Sequence, residues 1–101
     1  MSNKLSQLKK YEISIVLTEE FNDNELKTWV FNFAKGLKKY NICDISVISR
    51  GKHKLAYPIK SRTKGNFIQL NFLSLSKSIE VVSDKLNFDN NVLRSLVLTK
   101  S

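Results

Sequence analysis

The hydrophobic residues of this chain recur first every two positions, then every three or four, and this switching period limits the folds open to it. Over residues 11–18 (YEISIVLT), Tyr11, Ile13, Ile15 and Leu17 alternate with Glu12, Ser14, Val16 and Thr18, as in a strand with one buried face. Asn22 then offers a helix cap, with Glu25 three positions on to reach back. Leu26, Trp29, Val30, Phe33, Ala34, Leu37 and Tyr40 follow at three- and four-residue intervals, which predicts an amphipathic helix over residues 23–40. Gly36 inside it costs up to about 1 kcal/mol relative to alanine, too little to outweigh that stripe. Trp29 and the phenylalanines read as core rather than as a ligand box.

β-Branched residues return over residues 42–59. Ile45 and Val47 alternate, Gly51 in mid-run predicts a bulge or bend, and Pro58, which cannot donate to a ladder, places this strand at a sheet edge. Residues 60–65 (KSRTKG) read as the loop to a third strand over residues 66–73, with Ile68, Leu70 and Phe72 on one face and Phe67, Gln69 and Asn71 on the other. Ser76 is the expected cap of a second helix that turns Ile79, Val82 and Leu86 inward and ends at Asn87. The last strand, residues 92–100, has two possible phases. Burying an unpaired arginine is expensive, so Leu93, Ser95 and Val97 are expected inward and Arg94, Leu96 and Leu98 outward.

The order is β-α-β-β-α-β. With right-handed crossovers it gives an α+β, ferredoxin-like fold: a four-stranded antiparallel sheet, strands one and three central, both helices on one face. The other face stays open. A short extension over residues 1–10 and a single domain over residues 11–100 are expected, since a chain of this length forms one core, glycine and proline are scarce, and no Ser/Gly linker occurs.

Composition narrows the chemistry. The apolar runs fall short of the roughly 20 residues a membrane span requires, and residues 1–12 lack the apolar core of a secretory signal and the length of a transit segment. Cys43, the only cysteine, excludes an internal disulfide and a Cys-rich zinc module and fits a reducing compartment. The only histidine, His53, lies between two lysines with no nearby nucleophile, and no phosphate-binding glycine loop occurs. A small phosphatase family shares this topology, but its arginine loop is replaced here by the acidic TEEFND over residues 18–23. Catalytic residues, metal, cofactor and small-molecule substrate are therefore all expected to be absent, and no membrane partner is expected.

A formal charge of +8 and a pI near 9.8 favour a polyanionic partner. Between Asp44 and Glu80 no acidic residue occurs, while Arg50, Lys52, Lys54, Lys60, Arg62, Lys64 and Lys77 all fall in that gap. Single-strand RNA readers of this topology stack bases on aromatics of the central strands. Lys64-Gly65 matches the opening of their third-strand motif, but Asn66 and Ile68 fill the next alternate positions and Glu12, Ser14 and Val16 cannot stack, leaving Phe67 alone. Contact with the backbone of structured RNA fits better. Arg50, Lys52, His53, Lys54, Arg62 and Lys64 are the candidate RNA-binding residues, with Lys9 and Lys10 before strand one as a second group. On the open face, Val16, Phe67, Leu96 and Leu98 form a candidate protein-partner patch, and the edge of strand two offers strand addition.

Several segments resemble one known family. Tyr11-Glu12, the run GKHKLAYPI over residues 51–59, KGNF over residues 64–67 and NVLRSLVL over residues 91–98 look like protein six of the bacterial-type small ribosomal subunit, a likeness running from about Lys10 to Lys100. The resemblance implies a ferredoxin-like fold and a structural role: binding the central domain of small-subunit ribosomal RNA together with small-subunit protein eighteen. A free RNA-binding translational regulator of the same fold is the alternative. This chain departs from many relatives at Arg50, Lys52, His53 and Gln69, and lysine for arginine keeps charge while losing the bidentate fork. Lysine exceeds arginine, and asparagine and isoleucine are frequent, as expected of an AT-rich genome. A plastid-encoded chain is expected, with a bacterial cytoplasm as the alternative.

Overall fold

The computed structural model describes residues 8–100, so residues 1–7 of the expected N-terminal extension lie outside the described residues. The elements are β1 (Lys9–Thr18), α1 (Asp23–Leu37), β2 (Cys43–Ile59), β3 (Arg62–Ser74), α2 (Ser76–Asn87) and β4 (Val92–Lys100). The strands form one antiparallel sheet in the order β2-β3-β1-β4. This is the expected ferredoxin-like arrangement.

Residues directly opposite in an antiparallel ladder share a face, so the register sorts the side chains. Ile13 pairs with Leu70 and Val97, and Ile15 with Ile68 and Ser95. These point under the helices, where Tyr11, Ile13, Ile15, Leu17, Ile68, Leu70 and Phe72 meet Leu26, Phe33 and Leu37 of α1 and Val82 and Leu86 of α2. Leu17, Leu37, Leu70 and Val82 are fully buried. Asn22 caps α1 as its spacing predicts: its Oδ1 accepts from the Glu25 N–H at 2.8 Å, and Glu25 Oε1 accepts from the Asn22 N–H at 2.9 Å. Trp29 stacks on Phe33 at 5.0 Å and donates from Nε1 to Asp89 Oδ2 at 2.7 Å, which fastens α1 to the loop before β4.

Four boundaries depart from the sequence expectation. β1 begins at Lys9, so Lys9 and Lys10 pair with Ser74 and Leu73 of β3 instead of preceding the strand. The first helix ends at Leu37 and continues to Tyr40 as a 3₁₀ turn, closed by Asn41 in the left-handed region (φ 62). Ser76 is the first helical residue rather than the cap; Leu75 takes the cap position, and Ser76 Oγ instead accepts from the Tyr11 hydroxyl at 3.2 Å. The supposed loop over residues 60–65 shrinks to Lys60 and Ser61, both left-handed (φ 50 and 66), a two-residue turn whose twist matches that of the strands. Arg62 and Lys64 are therefore strand residues.

β4 shows the preferred phase, with Arg94, Leu96 and Leu98 outward, except at its start. A register shift between Val16 and Leu17 pairs Leu17 with Val92, so Val92 enters the core and Leu93 moves to the open side. There Leu93 and Val16 crowd over Gly65, where any Cβ would meet Val16 Cγ1 and the Leu17 carbonyl oxygen. Val16, expected on the open face as part of an exposed patch, is consequently buried at 7% exposure.

Candidate nucleic-acid interface

β2 is irregular at three points, and these shape the basic arm. Arg50 is an extra residue between Ser49, opposite Ile68, and Gly51, opposite Phe67. Gly51 is left-handed (φ 84), the bulge its position in the sequence predicts. Further on, Lys54 faces Lys64 and Ile59 faces Arg62, so Leu55, Ala56, Tyr57 and Pro58 stand opposite Thr63 alone. Pro58 lacks an N–H, so this stretch loses little by leaving the ladder.

The loosened stretch curls the arm back onto the body. Arg94 Nη1 donates to the Tyr57 hydroxyl at 3.1 Å, and Lys60 Nζ donates to the Val92 carbonyl oxygen at 3.1 Å, both reaching β4. Arg62 pairs with Glu20 in the loop after β1 at 2.7 Å. Sequence reading overlooked Tyr57, Lys60 and Arg94 as anchors, because partners over thirty positions apart leave no local signal.

The candidate cations therefore separate. Arg62 is engaged by Glu20, and Arg50 donates to Gln69 Oε1 at 2.8 Å. His53 Nε2 lies 2.6 Å from the Arg50 carbonyl oxygen, and its ring stands edge-on to Phe67 at 5.6 Å. Gly51, His53 and Phe67 share the open face. Lys52, opposite Asn66, and Lys54, opposite Lys64, point to the other side of the arm with Lys64. Among the described residues the ion pairs are Arg62–Glu20 and Lys100–Glu12, so these three lysines have no carboxylate partner. Lys54 and Lys64 are like charges directly opposite, a pairing that destabilises a sheet.

Lys9 and Lys10 stand elsewhere. They occupy the far end of β1 from Thr18, which pairs with Gly65 at the root of the arm, about 26 Å away along the strand. They do not join the lysine cluster. On the open face, Leu96 and Leu98 are exposed at 49% and 44%, while Phe67 is half-buried beside His53 and Val16 is covered. Among the described residues no helix is long and apolar enough to cross a membrane, and no group of three His, Cys, Asp or Glu side chains is placed to hold a metal ion.

Comparison with known proteins agrees with this architecture. The family model described as ribosomal protein S6 matches residues 10–99. The chain is 67% identical over 93 residues to small ribosomal subunit protein bS6c of Phaeodactylum tricornutum, covering 92% of this chain and 95% of that one. It is 58% identical over 96 residues to the bS6c protein of Trieres chinensis, covering 95% and 100%. Among solved structures, the 30S ribosomal protein S6 of Thermotoga maritima superposes with a TM-score of 0.84 at 17% identity, covering 92% of this chain and 88% of that one.

Proposed function

The chain belongs to the ribosomal protein S6 family, and from that premise we propose that it binds small-subunit ribosomal RNA in the central domain, together with small-subunit protein eighteen, as a structural rather than catalytic component. Its relatives at 67% and 58% identity are plastid-type small-subunit proteins, and the chain is a plastid-type ribosomal protein of the small subunit.

The observation that carries the RNA reading is the unpaired lysine face of the arm. Three cations without carboxylates, two of them opposed across a ladder, gain most from a ligand that brings closely spaced negative charge. A phosphate backbone does this, and a double-helical RNA, read mainly by shape and backbone, suits a two-stranded ribbon. Arg50 and His53 on the opposite face, held by Gln69 and the local backbone, supply a second, more rigid contact. Arg62 contributes only with Glu20 beside it, and Lys9 and Lys10 would meet a separate stretch of RNA.

The test is a salt titration of binding to small-subunit RNA. Replacing Lys52 and Lys54 by alanine lowers the slope of log K against log salt by roughly one for each lost phosphate contact and weakens binding across sequences alike. An unchanged slope removes the arm from the RNA surface. Sedimentation with small subunits in high salt separates a ribosomal constituent from a free regulator, which would stay at the top of the gradient.

A further inference from the structure

We propose that Tyr57, Lys60 and Arg94 are positioning residues for RNA: they contact no phosphate themselves but hold the arm at the angle that presents Lys52, Lys54 and Lys64, a role that rests on the arm reading above. The order of the strands carries the argument. The arm grows from β2 and β3, its tethers end on β4, and β1 lies between. To reach Arg94 and the Val92 carbonyl, the ribbon bends across the end of β1. Arg94 points to the open side of the sheet, so the bend is toward that side and the lysine face of the ribbon is left on its outside.

Such a ribbon does not hold an angle unaided. Two strands without a packed face are marginal in water. Here the pairing runs regularly from Gly51 to Lys54, resumes only at Ile59 opposite Arg62, and sets Lys54 against Lys64. Tyr57, 56% exposed, is not fixed by burial; its hydroxyl accepts from Arg94 Nη1 at 3.1 Å. Lys60, in the left-handed turn at the tip, commits its ammonium to the Val92 carbonyl oxygen at 3.1 Å.

These two bonds differ in kind from the Arg62–Glu20 pair. That pair is solvent-exposed on both sides and weakens with salt, whereas bonds to a hydroxyl and a carbonyl oxygen do not depend on attraction between ions. The arm thus keeps two tethers at ionic strengths that screen the third. A preset angle matters for this ligand. Phosphates of a double helix are fixed in space, so a ribbon that already holds its lysines in place avoids the ordering cost that a loose one meets on binding.

The test is a salt titration on the full chain, with variants that keep the lysine face. Tyr57→Phe removes one hydroxyl and no charge, and Lys60→Met removes the donor while keeping a side chain of similar bulk. Each is expected to weaken binding to small-subunit RNA about threefold to tenfold at every salt concentration, with an unchanged slope of log K against log salt. Arg94→Met is expected to do the same and to add nothing to Tyr57→Phe, because the two residues share one bond. Hydrogen exchange of the free variants is expected to quicken in residues 52–66 and to stay unchanged in residues 68–72. A slope lowered by about one in Lys60→Met or Arg94→Met makes that residue a phosphate contact and overturns its positioning role. Quickened exchange with unmodified affinity makes the tethers structural only and overturns the proposal as well. The joint replacement Lys52→Ala and Lys54→Ala separates the two readings. A lowered slope there, beside unmodified binding by Tyr57→Phe, removes the positioning role alone; an unchanged slope removes the arm from the RNA surface and the proposal with it.

Discussion

The two ends of β3 are held by different forces. Under the helices, Ile68, Leu70 and Phe72 are fixed by burial of one face along a β1–β3 ladder without a register shift, and a one-residue slip would turn them out of the core. In the arm, Arg62 and Lys64 belong to a ribbon with irregular pairing, held by a few polar contacts and bearing charges that repel one another. One end of the strand is optimised for the isolated molecule. The other carries opposed lysines that no carboxylate among the described residues offsets.

Substitutions should separate these two regimes. Leu70→Ala, at a fully buried site, is expected to cost about 3 kcal/mol or more in urea unfolding, because a transfer loss adds to a cavity. A cost below about 1 kcal/mol would mean that burial does not set the register. Gly65→Ala probes the junction between the regions. Its new methyl group meets Val16 Cγ1 and lies 3.1 Å from the Leu17 carbonyl oxygen, so a loss of about 1–3 kcal/mol is expected. Unchanged stability there would show that the junction yields as readily as the arm.

Asn22→Ala, which removes one half of a two-bond cap, is expected to cost about 1 kcal/mol and to leave RNA binding at its original salt slope. Lys64→Ala is the converse. Removing one of two opposed cations is expected to change stability by no more than about 0.5 kcal/mol, in the favourable direction, while weakening RNA binding. Lowered stability together with unchanged binding would erase the distinction between the two ends.

The same contrast explains what could be read in advance. Burial leaves a period, so Tyr11, Ile13, Ile15 and Leu17, the α1 stripe and the inner face of β3 were visible as spacing, and the expense of burying Arg94 settled the phase of most of β4. A bulge leaves almost no period. The extra residue at the start of β4 exchanged Leu93 for Val92 and put Val16 under cover, though nothing in VLRSLVL marks it. Gly51 announced its bulge because few other residues accept its backbone angles, whereas Lys60 and Ser61 adopt the same left-handed region without a glycine and so read as open loop. In the candidate site the charges were legible and their partners were not. Sequence shows that Arg62 and Lys64 are basic; only the fold shows Glu20 beside the first and Lys54 opposite the second.

The ties from the arm to β4 also have a consequence in time. Ribosomes make proteins from the amino end, so both strands of the arm are synthesised before the segment that carries Val92 and Arg94. Until that segment docks against β1, Tyr57 and Lys60 have nothing to hold, and the arm of a nascent chain lacks two of its three tethers. A chain still lacking β4 thus carries its arm lysines on a ribbon tied to the rest of the protein through Arg62 and Glu20.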